Sequence, residues 1–248
     1  MKGFLKLYPI AVVLIVWEMA ARAGLVDPLF LPSFSASMQA LVANYQLLAT
    51  DAAYSLGRAF AGLILGASVG LIIGMAMARY RAAESFLDPL VAALFPTPKL
   101  ALFPLLMVWL GLGEASKVAL IAVSAFFPVA INTYAGMRGV DRFLIWNART
   151  KGANALQLLM RVMVPAAMPF IFTGLRVATG YAFLLTVAAE MLTANNGLGF
   201  RIIYSQRTFE AETMYAGIVL VATLGFAVDR LLGWLGRHLI AWQDTETI

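Results

Sequence analysis

Charged residues along the chain are separated by long apolar stretches. Residues 59–78 and 118–137 contain no charged side chain, and residues 89–113 and 165–189 are each interrupted by a single cation, Lys99 or Arg176. A helix needs about 20 apolar residues to cross the hydrocarbon core of a bilayer. With two weaker stretches near the ends of the chain, the pattern predicts six transmembrane helices, at residues 7–23, 59–78, 89–112, 118–137, 165–190 and 213–235.

The composition excludes other broad classes of protein. Of the 248 residues, 62% are hydrophobic and 12% are charged, whereas an ordinary soluble domain has about 25% charged residues. The chain has no cysteine and one histidine, His238, which excludes disulfides and thiolate metal sites and leaves almost no material for a histidine metal site. The expected fold class is therefore an all-α polytopic membrane protein, with residues 1–248 forming one transmembrane domain in the lipid bilayer.

The distribution of lysine and arginine predicts the orientation of the chain. With the N-terminus in the cytoplasm, eleven of the 18 cations fall in inside segments and five in outside segments, and positive charge is typical of cytoplasmic loops. Both termini are therefore expected in the cytoplasm. The cations of the cytoplasmic loops account for the pI of about 9.6 without a nucleic-acid partner. A signal peptide is the alternative for the first segment, because Lys2 and Lys6 precede its apolar stretch. Glu18 within that stretch, and five later spans, favour a retained anchor.

Two stretches between the spans have predicted structure of their own. Residues 35–50 carry apolar side chains at helical spacing, which predicts a short amphipathic helix on the outer surface. Residues 139–164 form the longest cytoplasmic loop, in which Gly152 supplies a turn between two short helices. Pro165 is expected near the start of the fifth span, where its missing N–H costs little.

Glycine and proline mark the second and third spans. Glycines at every fourth position let another helix approach closely, either within this chain or at a subunit interface. These glycines are Gly62, Gly66, Gly70 and Gly74. Pro96, Pro98 and Pro104 interrupt the third span, and broken backbone at membrane depth must be buried in protein or line a wet cavity.

Ionisable residues within spans are candidates for function. Lys99 can attract an anion in a solute path or serve a structural pair, and Glu190 can line an outer gate or join a helix-packing network. The full set of path candidates is Pro98, Lys99, Pro104, Asn132 and Glu190.

The loop carries the most specific motif. Ala148-Arg149-Thr150-Lys151-Gly152 is followed by nine residues and then by Val162-Met163-Val164-Pro165. This resembles the signature loop of bacterial ABC importer permeases, written Glu-Ala-Ala, three residues, Gly, nine residues, Ile-x-Leu-Pro. Trp146 and Asn147 stand where the family usually has the glutamate and the first alanine. The ATPase-docking residues that the resemblance implies are Ala148, Arg149, Lys151, Gly152, Ala153, Val162, Val164 and Pro165.

Several further segments are similar to the nitrate/sulfonate/taurine-type permeases, over roughly residues 58–242. They include 98–106, 109–114, 132–136, 173–176 and 188–191. The resemblance implies a type I ABC importer fold with six transmembrane helices and a coupling-helix loop, in a bacterial inner membrane. It implies as partners a pair of ABC ATPase subunits, an extracytoplasmic solute-binding protein and a second permease subunit, expected to form a homodimer. The solute is expected to be a small anion such as a sulfonate, nitrate or taurine.

The chain itself is expected to bind no cofactor and to catalyse no reaction. It lacks a Gly-x-x-x-x-Gly-Lys-Ser/Thr loop, so ATP is expected on the partner ATPase. A secondary transporter driven by an ion gradient is the main alternative, which would favour inverted repeats and buried carboxylates. A membrane-embedded enzyme would need clustered catalytic groups, whereas the carboxylates here are scattered along the chain.

Overall fold

The computed structural model describes residues 8–239, and these residues form helices and connecting turns without a strand. The helices are α1 (Tyr8–Arg22), α2 (Phe34–Ala43), α3 (Tyr45–Arg79), α4 (Arg81–Leu94), α5 (Phe103–Leu110), α6 (Glu114–Arg138), α7 (Arg142–Thr150), α8 (Ala155–Leu158), α9 (Val164–Thr193), α10 (Leu198–Arg207) and α11 (Ala211–Leu239). A 3₁₀ turn, Lys99–Leu102, precedes α5, and a π-helical segment, Leu159–Met163, joins α8 to α9. The all-α fold class is confirmed for the described residues.

Four helical segments among residues 8–239 are long and apolar enough to cross a membrane. They are Tyr45–Arg79, Glu114–Arg138, Ala155–Thr193 and Ala211–His238. A fifth is obtained if Arg81–Leu94 and Lys99–Leu110, which meet at 97°, form one broken span. The first predicted span begins at Leu7, which lies outside the described residues together with Lys2 and Lys6, and α1 has 15 residues. The count of six spans therefore stays a prediction.

The predicted outer helix at 35–50 is divided in the structure. The first helix, α2, ends at Ala43, and the Asn44 N–H donates to the Ala40 carbonyl. Residues 45–50 are instead the first turns of α3, which continues for 35 residues. The charged residues Asp51 and Arg58 do not end this helix, because both are paired within the protein. The Asp51 carboxylate pairs with Arg201, and the Arg58 guanidinium pairs with Glu114.

Tertiary contacts divide the chain into two compact units. The first contains Met1–Leu56 and Val187–Leu224. Its buried apolar cluster consists of Ala40, Leu48, Ala52, Leu198 and Ala216. The Trp17 ring packs edge-on against Phe34 and lies 5.4 Å from the Tyr215 ring, and the Trp17 Nε1–H donates to the Pro32 carbonyl. Burial and aromatic contacts thus fix α1 and α2 against the start of α11.

The second unit contains Gly57–Thr186 and Gly225–Ile248. Most of its largest fully buried residues lie on α6, although the largest, Phe103, lies on α5, so α6 is at the centre of the unit. One apolar cluster joins α3, α4 and α6 around Met77, Val91 and Phe127. A second cluster joins α6, α9 and the loop between them around Met137, Leu158, Met163, Ala167 and Ile171.

Candidate functional site

The predicted loop at 139–164 folds into a helix–turn–helix. The Asp141 carboxylate accepts a hydrogen bond from the Phe143 N–H at 2.8 Å and caps the start of α7, as short polar side chains do at helix N-termini. After α7, Gly152 adopts a φ of +81°, and its N–H donates to the Arg149 carbonyl at 3.0 Å. This left-handed conformation favours glycine because it has no Cβ. A residue with a Cβ at position 152 would therefore adopt this positive φ only with backbone strain.

The second arm of the loop runs directly into α9. Asn154 and Gln157 cap α8 reciprocally, each side chain accepting from the other residue's backbone N–H. The π-helical segment Leu159–Met163 then continues into α9 without a break. Pro165 is the second residue of α9, which agrees with its expected place near the start of the fifth span, although the helical segment before it runs into α9 without a break. The Val164 N–H already bonds the Leu159 carbonyl in the π register, which alters the hydrogen-bond ladder just before the proline.

One side of the helix–turn–helix is packed into the protein. Ile145 and Ala148 of α7 and Val162 of the second arm lie against the cluster around Met137 and Leu158. This cluster continues along α9 and reaches α3. The loop is thus in direct packing contact with helices that are long and apolar enough to span a membrane.

The eight residues of the motif therefore divide by exposure. Arg149, Lys151 and Gly152 are exposed, and Ala153 is half-buried in the turn. The apolar members Ala148, Val162, Val164 and Pro165 are half-buried, and the first two of these face the apolar cluster. Ala148 and Val162 thus pack the loop against the protein, and the charged members of the motif face away from that cluster or into solvent.

The broken helix is organised around Lys99. Its ammonium group donates to the Leu94 carbonyl at 3.1 Å and to the Phe95 carbonyl, and it lies 4.7 Å from the centre of the Phe127 ring. Carbonyls at the end of a helix have no partner within the helix, and a cation there also compensates the helix dipole. Through these contacts Lys99 stabilises the bend between α4 and the 3₁₀ turn.

The other path candidates lie in separate surroundings. Pro98 precedes the 3₁₀ turn and Pro104 lies in the first turn of α5, where proline is tolerated. The Asn132 side chain donates to the Pro128 carbonyl at 2.8 Å, on the side of α6 that approaches Gly174. These three path candidates and Lys99 belong to the second unit, whereas Glu190 belongs to the first.

Glu190 belongs to a buried polar network in the first unit. Its carboxylate accepts from the Ser55 hydroxyl at 2.8 and 2.9 Å and from the Gly199 N–H at 3.0 Å. The Ser55 oxygen accepts from the Leu198 N–H, and the Asp51 carboxylate accepts from the Gly197 N–H and from Arg201. These side chains satisfy the N–H groups at the start of α10, which intrahelical bonds leave unpaired. Sequence reasoning did not predict the roles of Asp51 and Ser55, although their spacing of four residues places them on one face of a helix.

A second ionic contact, also absent from the sequence prediction, lies beside the loop. The Tyr134 hydroxyl donates to the Glu84 carboxylate at 2.6 Å, and Arg138 pairs with the same carboxylate at 3.3 Å. Arg138 is the last residue of α6, and Asp141, which caps α7, follows three positions later. Glu84 thus ties the first arm of the broken helix to the end of α6 from which the loop begins.

Among residues 8–239, no three histidine, aspartate or glutamate side chains lie close enough together to hold a metal ion. The described polar groups instead bond helix ends and each other.

Comparison with known proteins shows which family the chain is similar to. The family model described as binding-protein-dependent transport system inner membrane component matches residues 62–241. The taurine transport system permease protein TauC of Escherichia coli is 35% identical over 246 residues, covering 96% of this chain and 90% of that protein. The putative aliphatic sulfonates transport permease protein SsuC of Bacillus subtilis is 35% identical over 238 residues, covering 95% and 86%.

Solved structures share the fold at lower identity. An inward-facing conformation of the MetNI methionine ABC transporter matches with a TM-score of 0.65 at 18% identity, covering 79% of this chain and 97% of that chain. An amino acid ABC transporter matches with a TM-score of 0.61, covering 82% and 97%. The predicted resemblance is thereby confirmed, and the chain belongs to the family of binding-protein-dependent transport system inner membrane components, the ABC transporter permeases, which are transport subunits rather than enzymes.

Proposed function

We propose that this chain forms the solute path of an ABC importer and is driven by a separate ATPase through the loop at 139–164. The observation that carries the proposal is the helix–turn–helix itself. Its turn at Gly152 is exposed, and its inner face is packed against α6 and α9 through Ile145 and Ala148. A helix–turn–helix that is exposed at its turn and packed against α6 and α9 suits a subunit whose helices are moved by a partner protein.

The solute class follows from the relatives. TauC and SsuC are named for taurine and aliphatic sulfonates, so we propose a small sulfonate-like anion for this chain. A binding protein outside the membrane would deliver it, and two copies of the permease would enclose the path. The proposed location is a bacterial inner membrane, with six spans and both termini in the cytoplasm.

The mechanism is alternating access. ATP binding draws two ATPase subunits together and moves the loops of two permease copies, so that the path opens outward, and hydrolysis returns it inward. A partner can shift such an equilibrium only by binding one state more tightly than the other. The loop therefore has to present a surface that engages the ATPase differently in the two states.

A substitution at the turn tests the proposal. Proline fixes φ near −65° and lacks an N–H, so Gly152→Pro removes both the φ of +81° and the bond to the Arg149 carbonyl. We expect Gly152→Pro to insert normally and to lose taurine-stimulated ATP hydrolysis in proteoliposomes containing the ATPase subunits and binding protein. Gly24→Pro is the matched control, because Gly24 also has a positive φ, +69°, with open space around it.

Two results would contradict the proposal. Taurine or alkanesulfonate uptake retained in Gly152→Pro would remove the loop from the drive mechanism. Uptake by the purified chain without ATP would instead favour the secondary transporter.

A further inference from the structure

The α7 helix presents two different faces. Ile145 and Ala148 are packed into the apolar cluster of the second unit, which fixes the rotation of the helix about its axis. The opposite face carries Phe143 and Trp146, whose side chains are 63% and 65% exposed. Residues three apart on a helix are neighbours, so these two rings form one exposed aromatic stripe.

Positive charge flanks that stripe. Arg142 lies four residues before Trp146 and Arg149 three residues after it, and both are exposed. Residues 142–153 contain no acidic side chain, and the carboxylate of Asp141 is engaged in capping α7. The exposed face is therefore a tryptophan between two arginines without a compensating anion in the segment.

We propose that Trp146 is the main anchor through which the loop binds the ATPase subunit. The site on the partner is an apolar pocket that receives the indole ring, with carboxylates at its rim facing Arg142 and Arg149. Tryptophan and arginine are the residues most enriched among those that dominate interface energies, and charge complementarity sets orientation. This inference rests on the proposed function, because it names the chemistry by which the same loop recognises its partner.

The packing of α7 favours a protein partner over a lipid surface. An interfacial helix lies with its apolar face in the lipid and its polar face in water. Here the aliphatic side chains of Ile145 and Ala148 are already packed into the protein's own core, and Leu144 is the aliphatic residue of α7 that stays exposed. The remaining face mixes aromatic rings and arginines within nine residues, which suits a pocket with a polar rim.

The test measures binding of the full-length permease, in lipid nanodiscs, to the ATPase subunit that copurifies with the unmodified chain. We expect Trp146→Ala to weaken this affinity more than tenfold, and Trp146→Phe to retain most of it. Trp109→Ala is the matched control, since Trp109 is 69% exposed on α5. We expect the affinity of this variant for the ATPase subunit to stay unchanged. An unchanged melting temperature of the Trp146 variants would show that the permease remains folded.

The outcomes separate this inference from the proposed function. If Trp146→Ala binds the ATPase as the unmodified chain does while Gly152→Pro does not, the anchor is wrong and the docking loop stands. If neither variant loses binding, the proposed function fails as well. If Trp146→Ala leaves ATPase affinity intact but weakens binding to phosphatidylglycerol vesicles relative to phosphatidylcholine vesicles, the stripe is a lipid contact and the inference is overturned.

Discussion

Glycine has a definite steric role along α3. A Cβ built at Gly66 would lie within 3 Å of the backbone of Ala122 on α6, and one at Gly74 would meet the Ala130 carbonyl at 2.6 Å. Gly62 and Gly70 approach α6 in the same way. Backbone contact of this kind supplies dispersion and replaces the hydrophobic drive that lipid does not provide. Of the two readings that the sequence left open, the structure favours packing within one chain.

Gly66→Ala is therefore expected to destabilise the protein. The added methyl group would meet a backbone carbonyl that cannot move aside as a flexible side chain does, and overpacking of this kind costs about 1–3 kcal/mol. We expect the melting temperature in detergent to fall by several degrees. Gly57→Ala on the same helix, where a Cβ has open space, should leave it unchanged or raise it. Equal melting temperatures for the two variants would show that α3 and α6 are not held at contact distance.

Lys99 provides the second prediction at this scale. Lys99→Met removes the ammonium donor to the Leu94 and Phe95 carbonyls, and a hydrogen bond from a charged group contributes about 1.5–3 kcal/mol. We expect a lower melting temperature and an unchanged apparent KM for the proposed sulfonate solute, because the ammonium group is bonded to the carbonyls at the bend. Lys151→Met, at an exposed position, controls for loss of charge in the melting measurement. A raised KM at an unchanged melting temperature would place Lys99 in the solute path instead.

At the scale of elements, the pattern of charged residues predicts the existence of apolar helices better than it predicts the residues at which they begin and end. The uncharged run at 118–137 falls within the 25-residue helix α6, because a span in lipid must satisfy its backbone internally. The start of α3 was not predictable in this way. Asp51 and Arg58 are charged residues that a sequence pattern assigns to water, but their partners Arg201 and Glu114 are supplied by distant parts of the chain.

The loop shows the same division between local and tertiary information. The turn at Gly152 is a local backbone requirement, so its position could be read from the motif. The π-helical segment Leu159–Met163 is a shift of hydrogen-bond register, and neither spacing nor composition specifies it. The Glu84 contact with Tyr134 and Arg138 joins residues 50 and 54 positions apart, which one sequence cannot bring together. The turn of the loop was thus predictable from the sequence, and the connection of the loop to the broken helix was not.

At the scale of the whole molecule, orientation is the property that decides which partner can reach the loop. The excess of cations in alternate segments predicts that the loop at 139–164 lies inside and that the connection after α10 lies outside. The absence of cysteine makes this directly testable, because a single introduced thiol is the only one in the chain. Thr150 at the end of α7 and Thr208 after α10 are both exposed and suit such labels.

We expect a membrane-impermeant maleimide to label Thr208→Cys in intact spheroplasts and Thr150→Cys only in inverted vesicles. Thr133→Cys is the matched control, because Thr133 is fully buried and should react only after denaturation. Labelling of Thr150→Cys from outside would reverse the orientation, and the loop would then face away from any ATP-hydrolysing partner in the cytoplasm. Labelling of both exposed positions from the same side would mean an even number of crossings between residues 150 and 208. That result would contradict a single span formed by α9, because one crossing must separate the two labels.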